Sequence, residues 1–420
     1  MRKGEISEFK KISPFLYYWQ YCFLVEVIKM EKKSNTVKKK KTKRLDAKEN
    51  FWGYVFLSPV IIGFLVFTVF PVVMSFYYSL TNYDGIQPPK FVGFQNYAML
   101  FTNKEFGEAL FHTVYFTIGT VPVGVFLVIL VAVLLNQKIH GVNVYRSAFF
   151  IPVIVSYVSI TMVWQWLYNE DFLWMISSSL KDVQELYAIP PYWIPKHVAW
   201  ENYVYMFEQA PWFVYFGNTI FITVFTILGQ LITCSMAAYA FARLNFKGKN
   251  ILFIIYLGTM MIPFQAVMIP QFKIIKYMGL IDTKSSLVAV GIFNAFGTFL
   301  LRQFFLTIPK ELEEAAKIDG CSYPRIFWEV ILKNSKPALM TLIIFTFMNT
   351  WNDFLRPLIF INSEEKWTLA MGLAQFQGTY VSQWNQMMAG ALISMLPILL
   401  VYIFAQKYFV QGIVMSGIKG

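Results

Sequence analysis

One stretch of the chain gathers acidic, basic, small and turn-forming residues between two apolar runs: residues 309–337, PKELEEAAKIDGCSYPRIFWEVILKNSKP. Pro309 suits the first turn of a helix, where its missing N–H is not needed. Glu311, Glu313 and Glu314 follow it, where the helix dipole favours negative charge. Gly320 can take the left-handed conformation that ends a helix. Ser322 then caps a second helix with Pro324 in its first turn. The spacing predicts a helix–turn–helix. A second set of polar residues sits inside apolar sequence: Asp353 beside Asn349, Thr350, Trp351 and Asn352, with Gln265 and Asn294 elsewhere. An ionisable group within a membrane span is a functional candidate; the alternative for Asp353 is a solvated carboxylate at a span end. Gln265 and Asn294 are placed to line a polar path. No catalytic constellation accompanies them. His112, His140 and His197 are far apart, and Cys22, Cys234 and Cys321 form no CxxC metal or disulfide framework. No Gly-x4-Gly-Lys-Ser/Thr phosphate loop occurs. No catalytic residue, metal or cofactor is therefore expected.

The elements that must hold these residues are membrane helices. The 420 residues are 57% hydrophobic and 14% charged, with a mean hydropathy of +0.50, against about 25% charged in an average soluble domain. Lipid admits only helices or a closed barrel, and long apolar runs decide for helices. Eight spans are read: residues 54–80, 109–136, 147–168, 214–242, 251–272, 285–306, 338–361 and 387–410. Pro59 and Pro71 in the first are tolerable if neighbours satisfy the carbonyls they free. The net charge of +12 comes in part from nine basic residues between Lys32 and Lys48. They read as a topology determinant with affinity for anionic lipid, not as a nucleic-acid arm. Met30, just ahead of them, is a second candidate start.

With that basic tail inside, both termini are cytoplasmic. Loops 137–146, 243–250 and 302–336 then face inward and are rich in Lys and Arg. Loops 81–108, 169–212 and 362–386 face outward. Lys273, Lys276 and Lys284 dissent from this arrangement.

The chain also repeats itself. Val92-Gly93-Phe94-Gln95-Asn96-Tyr97, then Phe101, then Thr113, recurs 106 residues on as Val198-Ala199-Trp200-Glu201-Asn202-Tyr203, Phe207 and Thr219. The first copy stops after its third span; the second continues through the charged stretch and two further spans. Three segments result: a basic cytosolic tail, 1–50; a truncated first repeat of three spans, 51–171; and a second repeat of five spans, 172–420, holding the loop 309–336.

Glu314-Ala315-Ala316, with Asp319-Gly320 two residues further on, resembles the EAA loop of ABC importer permeases. The flanks extend the likeness. Leu57-Ser58-Pro59, Phe70-Pro71 and Arg146 resemble the opening of a maltose- or multiple-sugar-type permease. Trp351-Asn352-Asp353-Phe354, Ala389-Gly390, Pro397 and the final Gly-Ile-Lys-Gly resemble its partner permease. The resemblance implies an all-α, polytopic fold of the ABC importer (MetI-like) type with an incomplete first repeat. It implies helix-in-groove docking of Glu314, Ala315, Ala316, Asp319 and Gly320 on separate ATPase subunits. It further implies an extracellular substrate-binding protein, a second permease subunit and a carbohydrate cargo, for which Trp351 offers a stacking face. The chain looks like a fusion of two permeases that has lost the end of one and the first span of the other. Two readings stay open beside the importer subunit: a fused permease that does not transport, and an ion-coupled secondary carrier. Against the carrier, the two copies run parallel and not inverted. Lys333 stands where the family usually has proline, which bears on the length of the second loop helix.

Overall fold

The computed structural model describes residues 47–85, 87–135, 170–188, 192–376 and 384–417. Among these the protein is helical nearly throughout, and the one extended pairing is an isolated antiparallel bridge between Thr81 and Phe91. Among the described residues, four helices are long and apolar enough to cross a membrane: α1 (Ala47–Ser79), α3 (starting at Lys104), α7 (Trp212–Arg243) and α13 (Tyr323–Trp351). Two bent pairs raise the number to six if each is one span. The final helix, α16 (Trp384–Gly417), occupies the eighth expected span. The basic tail, the loop 137–146 and the third expected span, 147–168, lie outside the described residues.

Three expected spans take a different form. The fifth breaks into α8 (Lys249–Gly258, with a 3-10 turn to Met261) and α9 (Phe264–Tyr277), bent by 103°. Pro263 sits at the break and cannot donate a backbone bond into it. The sixth breaks into α10 (Lys284–Gly291) and α11 (Ala295–Thr307), bent by 42°. The Asn294 side chain caps α11 by accepting from Gly297 N at 3.0 Å. The seventh begins at Tyr323, not near 338, because the second loop helix runs through a π turn (Phe327–Leu332) and a 3-10 turn (Lys333–Ser335) into the span. It ends at Trp351, and a separate short helix, α14 (Leu355–Phe360), follows.

The chain divides into two compact units. One consists, in its described part, of residues 76–85 and 87–135. It contains α2 (Gln95–Thr102) and α3 (Lys104–Leu135). The other takes Ala47–Ser75 and the described residues from Glu170 onward. Its centre is α7, which packs against α1, α10, α11, α13 and the short helix α15 (Leu369–Gln375). One apolar cluster joins Phe56 and Leu57 of α1 to Tyr239, Leu301, Phe305, Phe327 and Ile331. A second joins Met206, Trp212, Tyr215, Trp351, Leu369 and Ala389.

Prolines inside these helices free carbonyls four residues back, and at Pro59, Pro71 and Pro270 a side chain covers the freed group. Ser58 Oγ donates to Val55 O, four residues before Pro59. Gln271 Nε2 donates to Phe67 O, four before Pro71, where α1 widens into a π turn. Ser75 Oγ donates to Ala266 O, four before Pro270.

Each unit carries the same hydrogen-bonded corner. In the first, Asn96 Nδ2 donates to Ser79 O and Thr81 O at 2.9 and 2.6 Å, and the Ser79 and Tyr97 hydroxyls pair at 2.7 Å. In the second, Asn202 Nδ2 donates to Ser179 O and Lys181 O at 2.9 and 2.9 Å, and the Ser179 and Tyr203 hydroxyls pair at 2.8 Å. Val92 N bonds Leu80 O, and Ala199 N bonds Leu180 O, both at 2.9 Å. The Asn-Tyr repeat of the sequence is thus a repeat of local structure. A helix ends at the serine in both copies: α1 at Ser79, and α4 (Glu170–Ser179) at Ser179; the short helices α5 (Val183–Leu186) and α6 (Glu201–Gln209) follow α4 in the chain.

Candidate functional site

Two regions of the larger unit collect the residues singled out above. The first is the hairpin formed by α12 (Lys310–Ile318) and the start of α13. Gly320 takes φ +77°, the left-handed conformation that a Cβ would strain, and Cys321 N bonds back to Ala316 O at 2.9 Å to close the helix end. Pro324 stands in the first turn of α13; Ser322 precedes it but makes no side-chain cap bond. Glu314, Ala315, Asp319 and Gly320 are exposed, and Ile318 is 87% exposed. Ala316 is buried against the protein's own core and does not belong to the exposed face. Leu312 and Trp328 of the same hairpin are exposed as well, and apolar side chains this open mark a surface suited to docking.

The inner side of α12 is anchored by charge. Glu313, 8% exposed in its side chain, lies 2.7 Å from Arg243, 2% exposed, at the end of α7. The contact is short but poorly aligned for a hydrogen bond. Arg243 also donates to Ile308 O at the end of α11. One guanidinium therefore ties the hairpin to two long helices. Burial pushes the Glu313 carboxyl above its ordinary value, while Arg243, Lys317 and Lys310 pull it back.

The second region is a cleft of about 730 Å³ walled by α7, the two helix breaks and the end of α13. Gln265, Asn294, Asn349, Asn352 and Asp353 all line it, so five of the six polar-path candidates converge. Trp351 does not. It is 3% exposed, stacks on Phe347 at 5.0 Å and donates Nε1–H to Ser394 O at 3.1 Å. Its neighbours on the helix face the cleft while it faces the core.

Three lining groups were missed in the sequence. Arg356 pairs with Asp353 at 3.2 Å and lies over the Phe264 ring at 5.2 Å. Gln230 Nε2 donates to Gly291 O at 2.7 Å and its Oε1 accepts from Thr346 at 2.7 Å. Thr226 sits one turn before it on the same wall. Both belong to a polar stripe on α7, Thr219, Thr223, Thr226, Gln230 and Thr233, whose spacing of four, three, four and three is a helical face. That stripe serves the break between α10 and α11, since Thr233 Oγ1 also covers Ile292 O at 2.6 Å. The signal for Arg356 was an opposite charge three residues after Asp353.

Apolar spans, helices broken around a polar cleft and an exposed hairpin define a multispan membrane transport protein. A family of binding-protein-dependent transport system inner membrane components matches residues 230–415. The arabinooligosaccharides transport system permease protein AraQ of Halalkalibacterium halodurans is 34% identical over 227 residues, 54% of this chain and 81% of that protein. The probable ABC transporter permease protein YurM of Bacillus subtilis is 34% identical over 276 residues, 63% of this chain and 90% of that one. Among solved structures, a chain of a bacterial ABC transporter involved in import of the acidic polysaccharide alginate superposes with a TM-score of 0.53 at 25% identity. The match covers 63% of this chain and 98% of the other. The chain belongs to the family of inner membrane permeases of binding-protein-dependent ABC importers. It is a multi-pass transport subunit and not an enzyme.

Proposed function

We propose that this permease passes a saccharide through the cleft, by alternating access driven by separate ATPase subunits. The observation that carries the cargo assignment is the lining itself. Gln265, Asn294, Asn349 and Asn352 present four neutral amides to one space, and the only charges among its lining residues are the mutually paired Asp353 and Arg356. Amides both donate and accept hydrogen bonds, which suits a polyhydroxylated, uncharged solute. The names of the relatives, which include an arabinooligosaccharide permease, support the same class.

The hairpin is the docking element for the ATPase, with Glu314, Ala315, Ile318, Asp319 and Gly320 as the face presented. It lies on the cytoplasmic side, as do both termini. A soluble binding protein delivers the saccharide from outside. Cargo only shifts the equilibrium between the two access states by its differential affinity for them. Segments 51–171 and 172–420 are the remains of two permeases, and the twin corners at Asn96 and Asn202 support that origin.

Reconstitution in proteoliposomes with ATPase and binding protein tests the reading. Saccharide uptake should require ATP and fall when Asn349 becomes Ala. Uptake without ATP would point to an ion-coupled carrier and end the importer assignment. A fused permease that inserts without transporting is the second reading. It is favoured by the single docking hairpin among the described residues, where such importers use one per permease.

A further inference from the structure

Beyond the cleft lies a smaller chamber of about 20 Å³, lined by Thr226, Gly291, Thr350, Asp353, Arg356 and Thr368 among others. Thr226, Gly291, Thr350, Asp353 and Arg356 line both spaces. The volume is room for one water oxygen. Three polar atoms around it are buried and have no hydrogen-bond partner among the described residues: Thr226 Oγ1, Thr368 Oγ1 and Arg356 Nε. Thr226 and Thr368 are only 2% and 4% exposed. Each such group costs free energy unless something bonds it. Thr219, on the same wall, shows the contrast, since its hydroxyl donates to Tyr215 O and accepts from Leu369 N.

We infer that the chamber is a binding site for a single hydroxyl oxygen, and that the Asp353–Arg356 ion pair is the partition separating it from the cleft. An oxygen placed there receives one fixed donor, the Arg356 Nε–H, and meets two hydroxyls that can donate or accept. Three contacts is what a buried water makes. With the pair closed, the occupant is one water. With the pair open, cleft and chamber become one continuous polar space, and the same three groups meet a hydroxyl of the solute. That second step rests on the cleft being the saccharide's route. The partition is short and local. Asp353 and Arg356 are three residues apart across the start of α14, with Oδ2 to Nη1 at 3.2 Å, and both side chains are partly exposed to the cleft. Such a pair contributes little to stability, so opening it is inexpensive.

The test places a cysteine in the chamber. Thr368→Cys is introduced into the full chain, and a small methanethiosulfonate reagent is counted by mass on the peptide that carries residue 368. Thr219→Cys, on the chamber wall but not among the cleft-lining residues and read in the same way, is the second reporter. Labelling should be slow with the native pair, at least tenfold faster with Asp353→Asn, and slow again in the swapped pair Asp353→Arg with Arg356→Asp. Equal rates with and without the pair, or fast labelling throughout, would overturn the partition. Fast labelling in Asp353→Asn with saccharide uptake unaltered would keep the partition but overturn its place on the route.

Discussion

Removing Arg243 is the most informative single perturbation the structure offers. Its guanidinium neutralises Glu313 at 2.7 Å with both side chains less than a tenth exposed, and it also donates to Ile308 O. Taking one member of a buried pair away costs about 3–5 kcal/mol, because the other charge stays behind without compensation. At roughly 2–4 °C per kcal/mol for a domain of 150–250 residues, Arg243→Met should lower the melting midpoint of the purified protein by on the order of 10 °C at neutral pH. The sign with pH follows from Glu313. Burial already holds its carboxyl above the ordinary value, and losing Arg243 raises it further. A carboxyl raised on folding binds more protons in the folded state, so stability falls as pH rises above its unfolded value. The Arg243→Met penalty should therefore be largest at pH 8 and shrink as pH falls toward the ordinary carboxylate value of 4.5, because Glu313 in the folded variant takes up its proton above that value. Replacing both members, Arg243→Met with Glu313→Leu, should recover most of the loss, since well-packed apolar residues often substitute for a buried pair. Coupling should not recover with it. Transport-stimulated ATP hydrolysis should stay low in the double variant, because the link from hairpin to α7 is gone. A wild-type midpoint in Arg243→Met at pH 8, or a double variant as unstable as the single, would refute the argument.

Three further outcomes follow from the same geometry. Gly320→Pro should abolish co-purification of the ATPase, since proline is fixed near φ −65° and the site requires +77°; Gly320→Asn, which tolerates that conformation, should retain it. Asp282 accepts from Lys366, from the Ser363 hydroxyl and amide, and from Asn362 N, and these hold its carboxyl well below the ordinary range. A depressed carboxyl stabilises the fold above its unfolded pKa of about 3.9 and loses that effect as pH falls toward its folded value. The gap in thermal midpoint between wild type and Asp282→Asn should thus be full at pH 7 and close below pH ~4. Trp351→Ala should cost about 3–5 kcal/mol in unfolding experiments, as for other large buried aromatics. Asn349→Ala, at an exposed position on the same turn, should stay within about 0.5 kcal/mol of wild type and show its effect in uptake alone.

The hairpin was legible because everything that specifies it is local. Pro309, the acidic first turn, Gly320 and Pro324 lie within sixteen residues, and each acts on its own backbone. The cleft was legible only in part. Polar residues in apolar sequence stood out, so Gln265, Asn294, Asn349, Asn352 and Asp353 could be picked by contrast. Which way each side chain turns is set by partners far along the chain. Trp351 and Asn352 are neighbours in sequence, yet one faces Phe347 and Ser394 while the other faces the cleft. The broken spans hide for a related reason. Hydropathy sums composition over about twenty residues and does not register a bend of 103° centred on Pro263.

The two corners show what such reading misses even when it succeeds. Matching Asn96-Tyr97 to Asn202-Tyr203 found the repeat from one side of a contact. The other side, Ser79 and Ser179, sits at a different offset, 100 residues apart and not 106, so a fixed-period comparison passes over it. The loop between serine and asparagine has changed length while the hydrogen bonds have not. A length change that leaves the bonds intact means the corner constrains its two ends and not the chain between them. That is the behaviour expected if each corner fixes where one helix stops and the next departs. It predicts that residues may be added between Lys181 and Val198 without loss of fold, whereas Asn202→Ala, which strands Ser179 O, Lys181 O and the Asn385 amide that donates to Asn202 Oδ1 at 2.7 Å, should free α4 from α16 and lower the midpoint of the whole unit.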